Sequence, residues 1–235
     1  MFLVFLVVFL ELSAMNEIRF EQGDGWQALS SDRLRLEFRW QRDRWAHRVL
    51  FAGDSQWLPL LGSVETFADS DLSDPVEQGA PFQTPALQQL HVDELECGLC
   101  ALGVGQVGVH HFATTFTFDA TRNSLCVDVA DRVRRVDASD RVVSAYELRV
   151  DPSVVPDRDF EPSSVTERAI AWRMRDPQTS SFCVRVEAAP DHPAAAVCFE
   201  RRKAKAPRVW VAPPSVANDA TTRRWVYRVE LADPK

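Results

Sequence analysis

The chain has 235 residues, 46% of them apolar and 26% charged, with a formal net charge of −7. These globular proportions exclude a chain that is disordered or membrane-embedded throughout, and the length suits one all-β domain with a sizeable core. The negative balance argues against a nucleic-acid module, whose affinity comes largely from neutralised phosphates.

The N-terminal run Met1–Leu10, MFLVFLVVFL, is too short for a membrane span, which takes about 20 apolar residues. Two readings stay open. The run is the apolar stretch of a secretory signal cut near Leu12-Ser13-Ala14, giving a secreted or periplasmic protein. Alternatively translation starts at Met15, residues 1–14 are a mis-assigned extension, and the protein is cytoplasmic. No basic residue precedes the run, and Glu11 closes it. Residues 15–235 then read as a single β-sandwich domain.

From there the chain alternates apolar and polar residues. Leu34, Leu36, Phe38 and Trp40 alternate with Arg33, Arg35, Glu37 and Arg39, the period of a strand with one wet face. A tight connection, Gln41-Arg42-Asp43-Arg44, leads to Val49 and Phe51. Phe112, Thr114, Phe116 and Phe118 repeat the alternation, and a polar turn over Asp119–Asn123 leads to Leu125, Val127 and Val129. Further strands are expected at 143–150, 166–173, 181–188, 196–202, 208–212 and 225–231. Proline-bearing stretches such as Asp151-Pro152, Asp176-Pro177 and Pro213-Pro214 end strands, because proline cannot donate to a ladder. About a dozen strands joined by short turns predict an all-β fold, a large two-sheet antiparallel sandwich. Glu65–Pro85 shows no clear strand and reads as a long loop.

Candidate chemistry is sparse. Trp40, Trp45 and His47 surround the first hairpin, and His110 and His111 open a strand after the glycine-punctuated stretch 103–108. Glycines there let the backbone bend or lie close to a neighbour. Indole faces suit the C–H faces of sugar rings, and imidazoles exchange protons near neutral pH. On a strand His110 and His111 point to opposite faces. Core packing and hydrogen-bonded histidines explain the same residues without a ligand.

Asp69-Ser-Asp71-Leu-Ser-Asp74, with Glu65 and Glu77 nearby, offers hard oxygens for calcium but lacks the Asp-x-Asp-x-Asp-Gly pattern, and reads as a solvated acidic loop. Arg201-Arg202-Lys203-Ala-Lys205 reads as a charged hairpin tip. Cys97-Gly-Leu-Cys100 has metal or redox spacing but no second pair, and the five cysteines read as free, half-buried thiols. No metal or cofactor is expected, and no nucleophile or phosphate-loop motif occurs. Arginine supplies nearly all the basic charge, the only lysines being Lys203, Lys205 and Lys235. Composition bias explains this, and so does recognition of acidic groups such as uronates or sulfates.

The opening Ser31–Trp40 strand, tight turn and Asp43–Val49 return resemble the first hairpin of galactose mutarotase-like domains. The resemblance is one of layout, strand number and length, without a diagnostic motif. It implies a supersandwich with a sugar-binding cleft, and a carbohydrate ligand. The family's epimerases use a histidine pair and a glutamate. No motif places that constellation on this chain; for an enzyme reading the available groups are His110 or His111 as general acid and Glu147 as general base, with Trp40, Trp45 and His47 as the sugar-binding platform. Three functions remain: a carbohydrate-binding or accessory domain, a sugar-acting enzyme of epimerase or lyase type, and a non-catalytic interaction protein. Oligomeric state is not legible.

Overall fold

The structure, a computed structural model, describes residues 18–53, 55–65, 82–95, 98–133, 141–149, 162–174, 182–192, 195–201, 206–213 and 222–232. The N-terminal run, the acidic loop from Asp69 to Glu77, Cys97 and the basic residues from Arg202 to Lys205 lie outside them.

Two large antiparallel sheets of eight strands each make the fold, an all-β two-sheet sandwich. In spatial order the first sheet runs β1 (Arg19–Gly23), β2 (Trp26–Ser30), β3 (Leu34–Gln41), β4 (Arg44–Ala52), β5 (Trp57–Ser63), β12 (Ser144–Leu148), β17 (Arg208–Ala212) and β16 (Ala196–Glu200). The second runs β13 (Ser164–Val165), β14 (Ala169–Met174), β15 (Phe182–Ala188), β18 (Thr222–Ala232), β10 (Ser124–Val133), β9 (His110–Asp119), β8 (Gly98–Val107) and β7 (Gln89–Leu95). A short parallel pair, β6 (Phe82–Gln83) with β11 (Arg141–Val142), completes the described strands. No helix among the described residues is long and apolar enough to cross a membrane.

Alternation fixes the register. Phe112, Thr114, Phe116 and Phe118 on β9 face Asp131, Val129, Val127 and Leu125 on β10, and all are buried. Slipping either strand by one residue would turn this row to solvent. Across the sandwich Phe38 meets Phe116 edge-on with ring centroids 5.2 Å apart, and Phe51 meets Phe182 at 4.8 Å. These contacts join β3 and β4 to β9 and β15, so one core binds the two sheets. Between β4 and β5 the register shifts at Val49/Leu50, and Pro59 sits beside this bulge, where the ladder tolerates a missing N–H.

More strands form than alternation alone announces. In the β7–β8 hairpin the glycines of β8 hide the alternation. They act here through close approach: a Cβ on Gly105 would stand 2.0 Å from the Ala86 carbonyl oxygen, and one on Gly103 would stand 2.9 Å from the Leu87 side chain. Residues 84–88 press on this bare strip of β8, and they also accept the Trp45 N–H at the Leu87 carbonyl. The segment therefore ties β4 of one sheet to β8 of the other. The polar turn after β9 forms as expected. Asp119 accepts from the Thr121 hydroxyl and the Arg122 N–H, and Asn123 takes the left-handed conformation at φ 49°, which asparagine tolerates.

Gly105→Ala is expected to cost about 1–3 kcal/mol or more in urea denaturation, and clearly more than Gly103→Ala. The first meets rigid backbone, the second a Leu87 side chain that can turn aside. Equal costs would mean that segment 84–88 does not rest on β8.

Candidate functional site

The expected site residues scatter over the two faces of the sandwich. His47 on β4 points inward; its Nε2 lies 2.9 Å from the Tyr146 hydroxyl. Trp40 and Trp45 face each other across the first hairpin, edge to face with centroids 5.5 Å apart. Trp40 is 44% exposed, and Trp45 packs partly on the core. His110 is fully buried, with Nδ1 3.1 Å from both Asp131 oxygens, and Arg223 binds the same carboxylate. The three side chains form a cluster at the start of β9, in which the buried His110 Nε2 has no partner among the described residues. His111, the next residue, turns to the outer side of the second sheet. Glu147 alternates with the buried Tyr146 on β12 and faces out from the first sheet, where it accepts from Arg208 and Arg149.

His110, His111 and Glu147 therefore do not meet around one ligand. One lies inside, and the other two lie on opposite outer faces with roughly 10 Å of packed core between the sheets. His47 lines a cavity.

That cavity lies between the sheets. His47, Ser63, Glu65, Ser144 and Tyr146 line it from the first sheet, Thr114, Phe116 and Tyr227 from the second, and Thr84, Pro85 and Leu87 from the crossing segment. Its empty space is about 300 Å3 with the open mouth counted, and about 20 Å3 of it can take the centre of a water molecule. That is enough for a water or one hydroxyl-bearing arm, since a single water needs about 10–15 Å3 on this measure. The first hairpin reaches the same end, because the charges of Asp43 and Arg44 act on Glu65.

A row of hydrogen bonds crosses this end of the core. The Tyr146 and Tyr227 hydroxyls are 2.7 Å apart, Tyr227 also bonds Ser144, and the fully buried Trp225 donates its indole N–H to Ser144 at 3.0 Å. An indole can only donate. The Ser144 hydroxyl therefore accepts from Trp225. The Ser63 hydroxyl accepts the His47 backbone N–H and donates to Glu65 Oε1. Three buried atoms of the lining have no hydrogen-bond partner among the described residues: His47 Nδ1, Glu65 Oε2 and Thr114 Oγ1. Leaving such groups unmet costs about 1–3 kcal/mol each, and a water or other polar group in the cavity would satisfy them.

Burial sets the protonation states. It pushes the Glu65 carboxyl up to about 7, against the Ser63 hydrogen bond and the Arg44 charge. It pushes His47 down to about 3, so the ring is neutral near pH 7. Burial also raises the phenols of Tyr146 and Tyr227, which stay protonated.

Sequence reasoning did not single out Thr114, Ser144, Tyr146 or Tyr227 as site residues, and it grouped Glu65 with the acidic loop. One signal was available. The chain has 14 phenylalanines and two tyrosines, and both tyrosine hydroxyls meet at this one point.

Glu65 gives the cavity a pH signature. Its folded pKa of about 7 stands above the ordinary 4.5, so the folded chain holds the extra proton between those values. The resulting stabilisation is whole below about pH 4.5 and is lost as the pH rises through 7. Relative to Glu65→Gln, the wild-type chain should lose on the order of 2–3 kcal/mol between pH 5 and 8, read by urea denaturation at each pH. His47 is common to both proteins and cancels; a difference that stays constant with pH would show that Glu65 is not buried. No family model matches the sequence, and no curated protein matches it.

Proposed function

We propose that the chain is a carbohydrate-binding β-sandwich that takes a neutral sugar at the polar end of its core. In this reading the ring lies outside, against the Trp40–Trp45 pair, and a hydroxyl or hydroxymethyl arm enters the cavity. The supporting observation is the set of three buried polar atoms without partners, His47 Nδ1, Glu65 Oε2 and Thr114 Oγ1, in one small cavity at the hairpin end where Trp40 is exposed. A sugar hydroxyl both donates and accepts. It therefore satisfies the Glu65 carboxyl in either protonation state, as well as Thr114 and the imidazole. Indoles add stacking area for the ring's C–H face at little entropic cost.

Glu65 favours a second reading, a sugar-acting enzyme. A buried carboxyl that titrates near 7 beside a ligand cavity is suited to moving protons at neutral pH. Catalysis of anomer exchange, followed by NMR and abolished in Glu65→Gln, would establish it.

Tryptophan fluorescence and calorimetry with a panel of neutral monosaccharides and disaccharides test the binding reading. Trp40→Ala and Thr114→Val should each weaken binding about fivefold or more, the worth of one lost contact of about 1 kcal/mol. If no sugar in the panel binds, the cavity holds only water and the reading is wrong.

A further inference from the structure

The outer face of the first sheet carries a second constellation, separated from the cavity by the sheet itself. One cross-strand row reads Glu37, Arg48, Gly62, Glu147, Arg208 and Glu200 over β3, β4, β5, β12, β17 and β16. Opposite charges alternate along it except at Gly62. There the Arg149 side chain lies across the bare backbone, and its Nε would stand 2.9 Å from a Cβ. Beside the row, the Arg35 guanidinium lies 5.8 Å from the Trp26 ring and 5.9 Å from the Trp57 ring. The Trp26 indole rests on Gly23, where a Cβ would come within 2.1 Å of its Nε1. Two glycines thus make room for one indole and one guanidinium to lie flat.

The charges are layered. Glu37 and Glu147 side chains are only 8% and 20% exposed, while their partners Arg39, Arg48 and Arg149 are 55%, 40% and 60% exposed. The carboxylates form a floor, and the guanidinium groups stand above it. Arg39 and Arg48 both reach one oxygen of Glu37, which leaves other N–H donors on each free to point outward. Around Arg39, Arg48 and Arg149 a ligand meets guanidinium groups above carboxylates, although Glu21, 49% exposed and bound to Arg35, shares the face.

We propose that this face binds an acidic polysaccharide, a chain carrying carboxylates or sulfates on successive sugars. The guanidinium forks of Arg39, Arg48 and Arg149 match planar or tetrahedral oxyanions. The Trp26 and Trp57 rings, held against Arg35 on the same face, offer stacking area for sugar rings. A nucleic acid is the competing polyanion, and the single-stranded DNA arm of the test below separates it from an acidic glycan.

The test is calorimetry of the full chain with sodium alginate, dextran sulfate, neutral dextran and single-stranded DNA. Alginate or dextran sulfate should bind at low salt and weaken as salt rises, while neutral dextran stays silent. Arg149→Gln and Arg39→Gln should each weaken binding about three- to tenfold. Arg185→Gln, on the outer face of the other sheet, and Thr114→Val, inside the cavity, should leave it unchanged. If Arg39→Gln loosens the fold around Glu37, Arg149→Gln and chemical-shift changes at the Trp26 and Trp57 indole N–H groups of the wild type still decide. Silence with both acidic glycans, equal affinity in Arg149→Gln, or DNA binding as tight as alginate would each overturn the proposal. Failure to bind neutral sugars would not affect it.

Discussion

The contact between the Tyr146 and Tyr227 hydroxyls ties β12 of one sheet to β18 of the other at the place where the interior changes from apolar to polar. On one side of it the core is rings and branched aliphatics meeting at van der Waals distance. On the other side sit an imidazole, a carboxyl and several hydroxyls. Buried polar groups must be answered by partners, and the two tyrosines begin that answer. Their hydroxyls link His47 to Ser144 and Trp225, and what this row does not satisfy faces the cavity. The cavity therefore follows from where the hydrogen bonds run out.

The first sheet gives its two faces different tasks. Inward, β3, β4 and β12 bring Phe38, His47 and Tyr146 to the core. Outward, the intervening residues Glu37, Arg48 and Glu147 build a charged lattice. Burial alone would raise the Glu37 carboxyl, but the hydrogen bonds and charges of Arg39 and Arg48 outweigh it and hold it below the usual value. Glu147, the carboxylate considered as a general base, is an anchor for Arg208 and Arg149 in this lattice. A residue's parity on its strand decides which of these tasks it can serve, and one step along β12 separates the tyrosine of the cavity from the glutamate of the surface.

Period-two alternation made the strands legible wherever one face is apolar, as in Leu34–Trp40 and Phe112–Phe118, and it carried the two-sheet sandwich. It failed on β7 and β8. On β8 glycines replace inward side chains because segment 84–88 lies on the strand, and bare backbone leaves no hydrophobic period to read. Among the expected site residues, the first hairpin drew attention to His47, which lines the cavity. His110 looked equally promising, because sequence cannot show that Asp131 and Arg223 converge on it from β10 and β18. Glu65 closes the lining because β5 ends two residues earlier with Ser63 facing inward, a consequence of the strand's end point that alternation does not fix.

A crystal structure at a resolution that shows ordered water tests the central claim most directly. The polar end of the core should hold an oxygen within hydrogen-bond distance of at least two of His47 Nδ1, Thr114 Oγ1 and Glu65 Oε2, and a sugar hydroxyl should displace it when crystals are soaked. A dry interior in which protein groups alone satisfy these three atoms would contradict it.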